Sequence, residues 1–218
     1  MRIIIFGATG MVGEGILLEC LHNPEAVKVL SIGRRSSHLR HQKLEELLVN
    51  DLDTIAQYKD RLIGYNACFY ALGKSSNGMN ETNYTKLTYN LTLNIAKVLK
   101  EVNPNLVFCF ISGAGTDTSE NSKVMWARIK GKTENALIDL LGKNAYNFRP
   151  ALMKPSPEQK NFRGYNRITH KILFPVLKLV FPYTSIKNIA RVMIRISKIG
   201  YDKQILEVND INAIILDF

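Results

Sequence analysis

The chain has little of what most quickly places a protein. Its three cysteines, Cys20, Cys68 and Cys109, sit inside helical or strand-like patterns without the paired spacing of a metal site. They are expected to be reduced core residues of a cytoplasmic protein, with no metal bound and no disulfide framework. No internal repeat and no low-complexity stretch is present, so nothing points to a repeat architecture. Long apolar runs are missing too. The longest, Ile172 to Phe181, is interrupted by Pro175 and Lys178 and is too short to span a bilayer. Nothing at the N-terminus has the pattern of a signal peptide, because a strand begins at once.

Acid is scarce where base is abundant. Between Lys143 and Lys203 the chain carries thirteen Lys/Arg against two Asp/Glu, which accounts for essentially all of the formal charge of +10. A cleft for anionic ligands, an anionic membrane surface or a protein partner each suits such a segment. Nucleic acid ranks last, because no recognition motif and no aromatic platform lies among the basic residues.

What is present is ordinary in bulk and specific in one place. A chain of 218 residues, 46% apolar and 22% charged, suits one globular domain with a full core. Arg2-Ile3-Ile4-Ile5-Phe6 reads as a strand buried on both faces. Gly7-Ala8-Thr9-Gly10-Met11-Val12-Gly13 follows at once and opens an apolar helical pattern. Gly7 suits the tight turn, Gly10 a close approach of backbone to phosphate, and Gly13 the packing of helix on strand. The helix N-terminus then offers free N–H groups to a pyrophosphate. This stretch predicts dinucleotide binding, with Gly7, Thr9, Gly10, Met11, Val12 and Gly13 as contacts.

Strand-like and helical patterns alternate down the chain, as a doubly wound parallel sheet requires. The second strand, Val27 to Ile32, is followed by Gly33-Arg34-Arg35. An NAD-selective site places an acid near this point, and a 2′-phosphate calls for positive charge. The adjacent Arg34 and Arg35 therefore predict NADP(H) over NAD(H). Ser36 to Gln42 reads as a polar loop with His38 and His41 exposed, and Leu44 to Val49 as a third strand. Tyr65 to Ala71 is the fourth, and Ala71, Leu72, Gly73 and Lys74 at its end are expected beside the cofactor. A long helix from Glu81 to Glu101 precedes the fifth strand, Leu106 to Ile111, which ends at Ser112. The next helix is expected from Ser119 to Leu141, and the sixth strand at Tyr146 to Phe148. Beyond residue 151 an appended lobe is expected: a basic, apolar segment from Arg163 to Phe181, a helix from Ile186 to Ile199, a strand from Gln204 to Val208, and a closing turn from Asp210 to Leu216.

The G-x-x-G-x-x-G spacing of Gly7, Gly10 and Gly13 resembles the fingerprint of extended and atypical short-chain dehydrogenases/reductases. Within that superfamily the chain looks most like the Tat-interacting-protein-like oxidoreductases and bacterial relatives labelled nucleoside-diphosphate-sugar epimerases. The resemblance implies a single Rossmann-type domain, with a cofactor-binding core over 1–151 and a substrate lobe over 152–218. It also implies that Asp51 and Leu52 lie against the adenine, although Asp53 suits a helix cap equally well. By the same resemblance Asn90 matches a helix asparagine of many relatives, and Pro150 lies beside the nicotinamide. The family's chemistry uses a serine, here Ser112, and a Tyr-x-x-x-Lys pair on one helix. Lys130 is in place, but Trp126 stands where the tyrosine belongs, and an indole N–H does not ionise at physiological pH. Tyr70 to Lys74 and Tyr183 to Lys187 repeat the spacing outside that helix. A carbonyl reductase acting on an unidentified small molecule and a non-catalytic NADPH sensor therefore compete, with epimerase-like chemistry and membrane docking behind them. Oligomeric state stays open.

Overall fold

A computed structural model of the chain describes residues 1–161, 174–175 and 177–216. Seven parallel strands form the central sheet, in the spatial order β3 (Leu44–Leu48), β2 (Lys28–Gly33), β1 (Arg2–Phe6), β4 (Ala67–Tyr70), β5 (Val107–Ile111), β6 (Ala145–Arg149) and β9 (Ile205–Glu207). Strand β1 (Arg2–Phe6) lies at its centre. Ile3 and Ile5 face one half of the core and Ile4 and Phe6 the other, all fully buried. A strand with no polar face can be accommodated only between two covered faces.

Helix α1 (Met11–His22) stops at Asn23, whose N–H bonds back to Glu19 O. Strands β2 (Lys28–Gly33) and β3 (Leu44–Leu48) complete one wing. A 3₁₀ turn at Leu52–Tyr58 and the short α2 (Lys59–Leu62) then lead to β4 (Ala67–Tyr70). The expected long helix is a composite: α3 (Glu81–Thr85), a π turn at Lys86–Asn90 and α4 (Leu91–Val102). Beyond it come β5 (Val107–Ile111), α5 (Met125–Leu141) and β6 (Ala145–Arg149). Helix α5 begins six residues later than the apolar spacing predicts. The Asp117 carboxylate accepts from the N–H groups of Ser119, Asn121 and Ser122, and from the Ser119 hydroxyl. These bonds hold 117–122 as a loop, a local alternative to helix open to an aspartate.

A second, two-stranded sheet pairs β7 (Leu152–Lys154) with β8 (Tyr183–Ser185). The basic segment expected from Arg163 to Phe181 falls outside the described residues over 162–173 and at 176. Helix α6 (Ile186–Ile199) has the predicted bounds. Strand β9 (Ile205–Glu207) does not stay in a separate lobe but joins the main sheet beside β6, and α7 (Val208–Leu216) follows. Helices α1, α6 and α7 cover one face, and α4 and α5 the other. All three cysteines are buried and free, and burial holds their thiols well above the ordinary value.

Strand order reverses between β1 and β4, so the carboxyl ends of these strands open the crevice where doubly wound folds take ligands. A groove of about 780 Å³ lies elsewhere. It runs along the amino ends of β5, β6 and β9, past Lys143, Tyr146 and Tyr201.

Candidate functional site

The glycine turn is built so that no side chain fits. Gly7 has φ +89°, and a Cβ there would lie 2.6 Å from the carbonyl of Ala71 at the end of β4. A Cβ on Gly13 would run into the Gly7 carbonyl. Gly10 stands at the N-cap of α1 and contributes no side-chain cap, so the first N–H groups of the helix face outward without intrahelical partners. Those donors and the helix dipole suit a diphosphate. Glu14, in the first turn, would oppose an anion, but its carboxylate is 5% exposed and accepts the N–H groups of Lys160 and Asn161. Gln159, 1% exposed, donates to Met11 O beside it. Sequence reasoning missed Glu14 and Gln159, since their partners lie about 145 residues apart along the chain.

Three clefts surround this turn. A slot of about 310 Å³ is lined by Arg34, Asp51, Leu52, Leu72, Gly73 and Lys86, among others. Its leucines offer an apolar wall to a base, and Asp51 an acceptor. The Asp51 carboxylate also accepts Asp53 N at 3.0 Å, so Asp51, not Asp53, caps the 3₁₀ turn. The exposed Arg35 turns into a different cleft of about 150 Å³, shared with Thr9, Ser36, Ser37, His38 and Asn161. The two adjacent arginines thus serve separate spaces. His41 accepts from Lys43 N through Nδ1 and lines no cleft described here.

The third cleft, about 240 Å³, runs from Val12 and Ala71 past Tyr84 and Thr88 to Phe110 and Lys130. Lys130 Nζ donates to Ser112 O at 2.8 Å. Burial among these groups pushes the ammonium down to about 8, with Glu134 working the other way. Ser112, 5% exposed, lies 3.0 Å from the Thr116 hydroxyl, which donates its own proton to Gly113 O. Ser112 must therefore donate to Thr116, which leaves its lone pairs free to accept.

Trp126 and Lys130 occupy successive turns of α5 beside the Ser112 loop, as the sequence places them. A Cβ on Gly115 would lie 3.5 Å from the indole edge, and Trp126 takes no part in lining the third cleft. Pro150 is buried, with its carbonyl accepting Ala114 N at 3.0 Å. Asn90, by contrast, is exposed at the end of the π turn. The residues of that helix that line the cleft are Tyr84 and Thr88. The two further Tyr-x-x-x-Lys pairs come to nothing: Tyr70 is buried in β4 while Lys74 is an exposed loop residue, and Tyr183 and Lys187 belong to different elements.

Known proteins match this chain in sequence and share its fold. The profile of the NAD dependent epimerase/dehydratase family matches residues 3–125. A curated protein of Emericella nidulans, "Protein fmp52, mitochondrial", is 29% identical over 165 residues, covering 72% of this chain and 69% of that protein. Among solved structures, ADP-L-glycero-D-manno-heptose-6-epimerase of Helicobacter pylori superposes with a TM-score of 0.72 at 15% identity, over 99% of this chain and 81% of that one. A short-chain dehydrogenase/reductase family oxidoreductase of Burkholderia thailandensis gives 0.69 at 12% identity, over 96% and 91%. Likeness at such identities is likeness of fold. The expected cytoplasmic placement is overturned: five curated relatives are named mitochondrial.

Proposed function

The chain belongs to the NAD-dependent epimerase/dehydratase family of the short-chain dehydrogenase/reductase superfamily, and from that premise we propose that it binds NADP(H) in preference to NAD(H) and reduces a carbonyl compound. The observation that carries the preference is the end of β2. Arg34 and Arg35 each face a cleft beside the glycine turn, where NAD selectivity would require an acid. The residues fit the dinucleotide. Gly7, Thr9, Gly10, Met11, Val12 and Gly13 would hold the diphosphate, and Asp51, Leu52 and Leu72 the adenine. Ala71, Gly73, Lys130 and Pro150 would flank the nicotinamide half, from which a bound NADPH supplies hydride. Lys130 would fix the ribose by charge, and Ser112 would accept a hydrogen bond from the alcohol product or from a donor group elsewhere on the substrate.

A second reading, a non-catalytic NADPH sensor, is favoured by Trp126, which takes the place of an ionisable phenol. Epimerisation has less support, because it needs that same phenol as a base. We further propose that the molecule docks on an anionic surface through the exposed apolar residues Leu179, Val180 and Phe181.

Paired titration with NADPH and NADH, read through Trp126, the single tryptophan, tests the cofactor preference. NADPH is expected to bind at least about tenfold tighter, worth about 1.4 kcal/mol. Arg34→Ala should erase that margin without weakening NADH, and Arg35→Ala should reduce it less. Equal affinities in the wild-type protein would end the NADP(H) reading, and NADPH binding without turnover of any carbonyl would favour the sensor.

A further inference from the structure

Position 126 has lost its phenol, yet the cleft beside Lys130 has not. We propose that Tyr84 is the proton donor of this site, acting from α3 in place of the group missing from α5. The proposal rests on the reductase reading and supplies the acid that reading lacks.

Tyr84 is 3% exposed, and both it and Thr88 line the cleft that Lys130 closes. Two contacts hold their helix in register against α5. The Glu81 carboxylate receives Arg128 Nη2 at 2.9 and 2.8 Å, and Lys132 Nζ lies 5.0 Å from the centre of the Tyr89 ring. Glu81, Tyr84 and Thr88 follow one another at three and four residues, so they share a helical stripe. The π turn that contains Thr88 is a local departure from α-helix of the kind often found at functional sites. Among the described residues, Tyr84 is the tyrosine that lines this cleft.

The step balances with NADPH as reductant. A bound NADPH would supply the hydride that forms the new C–H bond at the carbonyl carbon, and would itself be left as NADP+. The carbonyl π pair moves to oxygen, which takes the phenolic proton of Tyr84. The phenolate is supported by the Thr88 hydroxyl and recovers its proton from water.

Direction follows from burial. Desolvation raises the Tyr84 phenol above its ordinary value, and the nearby Thr88 hydroxyl offsets only part of this. The group therefore keeps its proton at neutral pH. A developing alkoxide is far more basic than a phenolate, so the transfer runs downhill in reduction. Alcohol oxidation would need Tyr84 to start as phenolate, which burial opposes. The site is thus built to reduce.

The test compares wild-type protein, Tyr84→Phe and Thr88→Val. NADPH oxidation is followed with a panel of aromatic aldehydes, α-diketones and ortho-quinones. NADPH affinity is measured separately through Trp126 fluorescence. Tyr84→Phe removes one oxygen and should lower kcat about a hundredfold or more, with NADPH affinity unchanged. Thr88→Val should lower kcat less, and it decides the matter if Tyr84→Phe does not fold. Turnover unaffected in both variants overturns the proposal and leaves the reductase reading standing. Loss of NADPH affinity in a folded Tyr84→Phe also overturns it, by making Tyr84 a cofactor contact. Wild-type protein that binds NADPH but reduces nothing in the panel removes the reductase reading itself, and the proposal with it.

Discussion

Lys130 shows how a single residue gives up stability for a site. Its ammonium has carbonyl partners at Ser112 and, more weakly, Ile111, with the Phe110 ring 5.8 Å away. Glu134, the nearby carboxylate, is committed to Arg149. The folded value of about 8 lies below the 10.5 of a free lysine, so charge on this group opposes folding. The cost is complete below pH 8 and fades as pH rises from there toward 10.5, because over that interval the unfolded chain binds the extra proton. Lys130→Met is therefore expected to raise Tm at pH 7, with the gain shrinking toward pH 10, while NADPH binding weakens. For the wild-type protein, NADPH affinity should fall as pH rises through about 8, and Lys130→Arg should remove that fall. Calorimetry and fluorescence titration across this range check both. The sequence named both Lys130 and Ser112, and the fold brings them together. That Ser112 has its proton committed was not legible, because the Thr116–Gly113 bond exists only once the loop has closed.

At the scale of elements, what the sequence told and what it withheld separate by range. The strand–glycine–helix unit and α6 were readable because their periodicity and stop signals are local. The start of α5, the cap at Asp51 and the π turn were not, since side-chain bonds to neighbouring backbone override propensity there. The joining of β9 to the sheet depends on distant contacts, and Arg149 is central to them. The resemblance pointed to a loop beside the nicotinamide, yet Arg149 itself bonds Glu134 of α5 and Glu207 of β9. Glu134 is fully buried. Arg149→Met would leave that carboxylate without its partner, at a cost of about 3–5 kcal/mol. A large drop in Tm is expected, and Arg149→Met with Glu134→Met should recover part of it. Denaturation of the two single variants and the double variant would measure the coupling. An additive result would show that the network does not tie α5, β6 and β9 together.

The whole molecule is polarised. Its glycine turn and the three clefts beside it occupy one edge of the sheet, and its excess positive charge lies in the last third of the sequence. There Leu179, Val180 and Phe181 are 81%, 74% and 53% exposed, and Leu216 is 86% exposed. Asn212, one helical turn before Leu216, donates to Tyr183 O at 3.0 Å, which brings α7 to the same patch. Lys154, Lys178 and Lys187 are exposed around it and have no carboxylate partner among the described residues. Among those residues no helix is long and apolar enough to cross a membrane. Exposed apolar side chains with exposed lysines on the same and neighbouring elements suit the surface of an anionic bilayer. Each basic residue there contributes about 1 kcal/mol, and each apolar side chain that inserts contributes about 1.5–3 kcal/mol. The protein is therefore expected to float with vesicles of phosphatidylcholine and phosphatidylglycerol, but not with phosphatidylcholine alone. Phe181→Glu should weaken flotation more than high salt does, because it removes the apolar contribution and adds a repelled charge. Binding that ignores lipid charge, or persists unchanged in Phe181→Glu, would assign the patch to a protein partner or a second copy of the chain.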